Sequence, residues 1–540
     1  MSAEPRMGNK SPSIETPRLR DDSYGLSLPD FPNVNHSYLQ EWPDEERSEI
    51  LLDAILTSIG RVQHFFDPRS VADRLAMCSA SNGQEPPTTL WYIELLLVFA
   101  IGDLLTCKFH DRLSTPGESY FIEAMNRIPG LSHLRTSGIQ GIEILGLVTY
   151  YLQCADRRDD AYVYAGVALR MALLMGLHRD SGAAATTRSD KTHQNRLWWT
   201  IYMQERRLAA ATGNPLSVDD EVIRAALPRD APGFCASEAL TTNVKIAKIT
   251  GQTLKNIYGS IGQTEQIFMT HVQNILSELH QISQNMPADF AVDFSQQLRV
   301  TRTSATLYLM LYQAIILVTR PILLQLARQA VKEQLQNIIL SRPLESLAET
   351  CIDAARHTLR ILCALKQQQL LANFGFSDLD AIFSAGFVFV LAETIYPSSH
   401  RHSGLSGIRG CLDLLQDLNS HGNRPSAVRR RDIIQMCKQL NIAESLTNTE
   451  PSGGVTIGDI EAASSVRVNN GQQKLQQETD AQVIAMEQPL HWVDDIAESE
   501  MLLGQDTHDL HLWYNHDSLD LTGAIETDWE ALATEIFRSG

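Results

Sequence analysis

Paired thiols bind zinc and carboxylates grouped with a histidine move protons, so the cysteine, histidine and acidic positions are where chemistry would first show. The eight cysteines are Cys78, Cys107, Cys154, Cys235, Cys351, Cys363, Cys411 and Cys437. None forms the two-residue-spaced pair that a tetrahedral thiolate site repeats, and the closest two, Cys351 and Cys363, fall on one expected helix. The pattern implies reduced, mostly buried thiols and no cofactor. His178, in GLHRD, titrates near neutrality, but it stands alone at a helix end, where a cap or core-edge role is the plainer reading. There is no G-x-S-x-G elbow, P-loop or dinucleotide fingerprint.

Asp494, Asp495 and Glu498 spell DDIAE, similar to the aspartate-rich motif with which helical isoprenoid synthases hold magnesium and diphosphate. It stands in a core-poor acidic tail without a second carboxylate motif on a facing helix, and such tails generate these strings freely. No catalytic constellation emerges, and the chain is not expected to be an enzyme.

The elements that would position these residues are helical. From Tyr164 to Leu177, the residues Val167, Leu169, Met171, Leu173, Leu174 and Leu177 recur at helical spacing, with Gly176 near the end. The insert Ser181 to His193 breaks the pattern and is expected to be a mobile surface loop. In the next helix Leu197, Trp198, Ile201, Tyr202 and Leu208 make an apolar face, while Arg196, Glu205, Arg206 and Arg207 mark a polar side. Gly213, Asn214 and Pro215 end it. Glu94 to Cys107, Ile267 to Met286 and Ile352 to Gln369 also favour helices, and period-two alternation is missing. Thr303 to Thr319 is uncharged, but it carries Tyr308, Tyr312 and Gln313 and stops at Arg320, so it reads as a buried helix rather than a membrane span. With 540 residues and 44% hydrophobic content the chain can bury a large core. Residues 1–44 are Pro-rich and polar and read as disordered, with no secretory signal. Residues 45–445 read as one large all-α unit, and 446–540 as a disordered linker with an acidic tail.

The stretch from Tyr162 to Pro228 resembles the signature of the helical regulatory domain of fungal binuclear-zinc-cluster transcription factors. Ala165, Gly166, Ala168, Arg170, Ala172, Gly176, Leu177, His178, Arg196, Leu197, Trp198, Trp199, Arg206, Gly213, Pro215, Asp219, Asp220 and Leu227-Pro228 match that pattern in order. Glu205 stands where the family usually has aspartate and Asn214 where it has arginine. The opening segment from Leu51, the helix ending in Arg320-Pro321 and the buried helices from Gly375 extend the likeness over about residues 45 to 445. The resemblance implies an all-α regulatory domain in a nuclear transcription regulator, with pathway-specific control, for instance of a secondary-metabolite cluster, as an extension. The zinc cluster of the family is not in this sequence, so zinc is expected only if an upstream cluster exists. A cavity near Trp198, Trp199 and Arg170 is a place where such a domain would sense a small molecule, with packed core as the plainer reading.

Charge bears on partners. A formal net charge of -19 repels nucleic acid, so DNA contact is expected through a partner or a missing N-terminal domain. The compact basic element Arg424, Arg429, Arg430 and Arg431 has the composition of a nuclear-import signal or a phosphate contact, with a solvated helix start as the plainer reading. From Trp492 the tail interleaves carboxylates with bulky apolar residues, the composition of an acidic activation segment that docks on coactivators, with Trp492, Trp513, Trp529 and Phe537 as anchors. A terminal helix folded back on the domain is the alternative. The sequence thus reads as a transcription activator that forms homodimers or pairs with a related factor and has no membrane partner. The competing reading is an inhibitor without DNA-binding activity that captures a zinc-cluster relative.

Overall fold

The computed structural model describes Leu26 and residues 42–80, 89–108, 114–179, 187–259, 265–332, 342–397 and 404–442. The described residues form fifteen α-helices and no strand. They are α1 (Glu45–Ser58), α2 (Pro68–Ala80), α3 (Leu90–Thr106), α4 (Glu118–Arg127), α5 (Leu131–Thr136), α6 (Ile139–Cys154), α7 (Arg158–Leu174), α8 (Arg188–Thr212), α9 (Glu238–Thr253), α10 (Glu265–Gln284), α11 (Arg302–Lys332), α12 (Arg342–Gln367), α13 (Phe376–Ile395), α14 (Gly404–Ser420) and α15 (Arg424–Gln439).

Two apolar cores organise them. The first gathers buried side chains of α1 to α8 and the second those of α10 to α15. Helix α9 serves both, turning Leu240, Val244 and Ala247 to the first core and Ala239, Ile246 and Ile249 to the second. A helix with apolar residues on two faces is dictated to lie inside, because either face left in water would forfeit its burial. Ion pairs also cross between the halves: Arg158 at the start of α7 reaches Asp380 of α13 at 2.5 Å, and Arg429 of α15 reaches Asp156 at 2.9 Å.

Several expectations need correction. The loop foreseen from Ser181 to His193 is shorter, because Thr187 caps α8: its hydroxyl accepts from the Asp190 amide and the Asp190 carboxylate accepts from the Thr187 amide. This reciprocal cap starts the helix at Arg188, inside the polar stretch. Helix α11 does not end at Arg320-Pro321 but runs to Lys332. Burial of Ile322, Leu323, Leu324 and Leu326 in the second core offsets the roughly 3 kcal/mol by which proline disfavours a helix interior. Helix α11 is long and apolar enough to cross a membrane, yet 83% of its apolar window is buried inside the protein. Most of the segment expected to be disordered, 1–44, lies outside the described residues, but Leu26 is only 2% exposed and its carbonyl accepts from Arg157. Trp42 stacks on Tyr92 with centroids 5.1 Å apart. These two residues belong to the first core.

Candidate functional site

The signature residues are brought together by α7, α8 and the chain that follows them. Helix α7 ends when Gly176 enters the left-handed region at φ 76° and the Leu177 amide returns to the Ala172 carbonyl at 3.1 Å. Glycine reaches that conformation without a Cβ penalty, and the six-to-one bond closes the helix. Gly213, at φ 70°, closes α8 in the same region. The chain then folds back along α8 from Pro215 to Cys235, and the polar signature residues hold it there. Trp199 Nε1 and Asn195 Nδ2 both donate to the Ala226 carbonyl at 2.8 Å. Arg196 donates to the carbonyls of Cys235 and Arg229 at 2.8 and 3.1 Å. Pro215 accepts from the Tyr162 hydroxyl at 3.0 Å. The His178 carbonyl accepts from the Arg224 and Ala225 amides at 2.7 and 2.9 Å.

Arg206 is the centre of this clasp. It is fully buried, donates to Glu205 at 2.5 Å, to the Val218 carbonyl at 2.6 Å and to Asp220 at 2.8 Å, and lies 4.4 Å from the centroid of the Tyr202 ring. Glu205, also fully buried, accepts from the Ser217 amide at 2.6 Å. Burial works against the Arg206 charge, and Tyr202, Glu205 and Asp220 more than offset it, so its pKa is raised. On the polar side of α8, Arg206 reaches a carboxylate elsewhere, that of Asp220, and Arg196, Glu205 and Arg206 are buried because a non-helical return strap covers them. Periodicity cannot register a strap that satisfies charges through its backbone.

Packed core, rather than a cavity, stands at the two signature tryptophans. Trp198 and Trp199 are fully buried against each other and Tyr202, whereas Arg170 is exposed on the outer side of α7 beside Gly166. The cavities of the protein are lined by other residues. His178 is buried at the core edge with its ring 6.0 Å from that of Trp198, and burial followed by the Arg179 charge lowers its pKa. This places it as a neutral edge residue. Arg429 is 2% exposed and engaged by Asp156 and the Phe383 ring, so in the folded domain only the flanks of the basic element, such as exposed Arg431, face solvent. Arg430 is half-buried on the same helix. Trp492, Trp513, Trp529 and Phe537 lie outside the described residues.

The sequence reading missed a polar chain that crosses the first core. His64 Nε2 and His193 Nδ1 are 2.9 Å apart, and His193 Nε2 is 3.1 Å from Glu143. Glu94, near Glu143, accepts from Arg74 at 2.9 Å and from Gln140 at 3.0 Å. The available signal was a lone carboxylate inside each of two apolar runs, LWYIELLL and GIEILGL. Burial, then the neighbouring Glu143, pushes the Glu94 carboxyl up to about 8. Burial, then His193, Arg196 and Arg69, holds His64 well below its usual range. The signs follow by linkage. A carboxyl raised on folding gives stability that is full below about 4.5 and is lost as pH rises through about 8, and a depressed histidine gives stability that is lost as pH falls below about 6.5. Glu94→Gln is therefore expected to flatten the alkaline fall in melting temperature while leaving the acid limb in place. An unchanged profile in a thermal-melt series from pH 5 to 9 would show that Glu94 does not titrate there.

Among the described residues no group of three or more His, Cys, Asp or Glu is placed to hold a metal ion, so the cysteines present do not fit a zinc cluster. Five of them are buried, and burial raises the thiols of Cys154 and Cys351 to about 12.

Comparison with known proteins follows the same lines. Residues 78–285 match the fungal specific transcription factor domain, the stretch that holds α3 to α10, the clasp and most of the polar chain. An uncharacterized transcriptional regulatory protein of Schizosaccharomyces pombe is 25% identical over 445 residues, covering 77% of this chain and 55% of that protein. The thiamine repressible genes regulatory protein of the same yeast is 22% identical over 395 residues, 69% of this chain and 49% of that protein. A transcription factor of Gibberella moniliformis is 28% identical over 186 residues, 33% of this chain and 24% of its own. The chain thus spans about half the length of the first two relatives. No solved structure matches it. With its signature residues assembled into one clasp inside the matched domain, the chain is similar there to fungal transcriptional regulatory proteins.

Proposed function

We propose that this regulator acts in the nucleus as a pathway-specific activator, its helical domain serving as a regulatory and dimer-forming platform and its acidic tail recruiting coactivators. The observation that carries this reading is the tail itself: between Trp492 and the end of the chain Arg538 is the only Lys or Arg, among many carboxylates and bulky apolar residues. Such a segment keeps its aromatic anchors in water until a partner groove accepts them as a short amphipathic helix. Relatives named for defined gene sets, thiamine repressible genes and cutinase, support pathway-specific control. DNA is reached through a partner or a further segment, because a net charge of -19 opposes direct contact.

The test fuses residues 480–540 to a neutral DNA-binding domain and reads a reporter. Activation is expected, and alanine at Trp492, Trp513, Trp529 and Phe537 together is expected to abolish it. A silent fusion would sink the activator reading in favour of an inhibitor that captures a related factor.

A further inference from the structure

Two cavities share a wall where the first and second cores adjoin. One of about 300 Å³ is lined by residues of α1, α8, α11 and the connection before α13, and one of about 90 Å³ by residues of α6, α8, α9, α11 and α13. Arg207, Met310, Phe376 and Ser377 line both, so the Arg207 guanidinium is set in their shared wall. The cations around it are otherwise neutralised. Arg158 is engaged by Asp156 and Asp380, and Arg302 binds Asp378 through two N–H donors at 2.7 Å each. Arg207 instead donates to a neutral acceptor, Asn243 Oδ1 at 2.7 Å, and Asn243 is itself fixed by donating to the Val62 carbonyl at 2.9 Å. No described carboxylate forms an ion pair with Arg207, and none lines the larger cavity. A second polar group, the side-chain amide of Gln63, also lines the larger cavity.

From this geometry we propose that the larger cavity, with Arg207 in its wall, binds a small organic monocarboxylate carrying a hydroxyl. The carboxylate takes the planar fork of Arg207, which matches it with two parallel hydrogen bonds. The hydroxyl bonds to the Gln63 side-chain amide, and the hydrocarbon part lies against Ile59, Val62 and Leu105. One negative charge is the number that fits, because one guanidinium lacks an anion, and a dianion would set surplus charge near Asp378 and Asp380. The volume is at the lower end of the roughly 300–1,000 Å³ of ligand cavities, which selects a compact molecule. Burial holds the Arg207 pKa down at about 10, the condition an incoming anion relieves. The site lies apart from the clasp and from the tail, so it stands or falls independently of the activator reading.

The experiment uses the purified full chain with sodium 2-hydroxyisovalerate, uncharged isovaleramide and inorganic phosphate, read by calorimetry and thermal melting. The hydroxy acid is expected to bind and raise the melting temperature, and the amide and phosphate to do neither. Arg207→Gln is expected to weaken the hydroxy acid by roughly tenfold or more, the scale of a lost charge-assisted hydrogen bond, while melting no lower than wild type. Gln63→Leu is expected to weaken it as well with the fork intact, and Arg170→Gln, on the outer side of α7, to leave it unchanged. Absence of binding, equal binding of the amide, preference for phosphate, or binding that survives Arg207→Gln would each overturn the proposal. Should Arg207→Gln fail to fold, the discrimination between hydroxy acid and amide by the wild-type chain decides the proposal.

Discussion

Arg206→Ala is expected to unfold the domain's centre, at a cost of about 3–5 kcal/mol, the range for removing one partner of a buried ion pair. The magnitude comes from what is left behind. Glu205 is fully buried and loses its cation at 2.5 Å, the Val218 carbonyl loses its donor, and the strap residue Asp220 loses its anchor at 2.8 Å. Changing both partners, Glu205→Leu with Arg206→Met, is expected to cost less than the sum of the single changes, because no unpaired charge then remains. A double-mutant cycle by urea unfolding distinguishes the cases. Strict additivity would mean that the two side chains do not depend on each other.

Trp198→Ala is the second large effect, again about 3–5 kcal/mol, here through a cavity in close-packed surroundings. Trp198 is fully buried between Trp199, Tyr202 and His178, with ring centroids 6.3, 6.5 and 6.0 Å away. Its indole nitrogen is buried without an acceptor, so Trp198→Phe gives up volume but no hydrogen bond and is expected to cost far less. Trp199→Phe differs, because it removes a donor from the Ala226 carbonyl. Equal melting temperatures for Trp198→Ala and wild type would remove Trp198 from the core.

These two residues also mark what could be read without coordinates. Trp198 was legible as core because its apolar neighbours Leu197, Ile201 and Tyr202 repeat at helical spacing, and the caps at Gly176 and Gly213 were legible from glycine chemistry. Arg206 was recognisable only through resemblance, and its burial was not foreseen, since the strap that covers it comes from irregular chain whose backbone carbonyls carry no side-chain signature. The early start of α8 was hidden in polar residues although Thr187 and Asp190 have the spacing of a capping box. Arg207 was assigned to the same polar side as Arg206, and no one-dimensional pattern separates an arginine that meets carboxylates from its neighbour, which meets a cavity. The seam between the cores depends on pairs as distant as Arg158 with Asp380, which helical periodicity does not encode.

The bond between Arg429 and Asp156 has a consequence for how the protein is made. Asp156 sits in the turn between α6 and α7 at φ 60°, and its partner follows 273 residues later. At the roughly 5–20 residues per second of translation, about 14–55 s pass before that arginine emerges. Early in this interval the stretch matched by the family has emerged with α3 to α10 while α11, α13 and α15 have not been synthesised, so much of the second-core face of α9 lacks cover and the cavities lack their α11 and α13 walls. The matched stretch on its own is therefore an incomplete folding unit, and a nascent chain paused after it is the form most exposed to capture by chaperones or proteases.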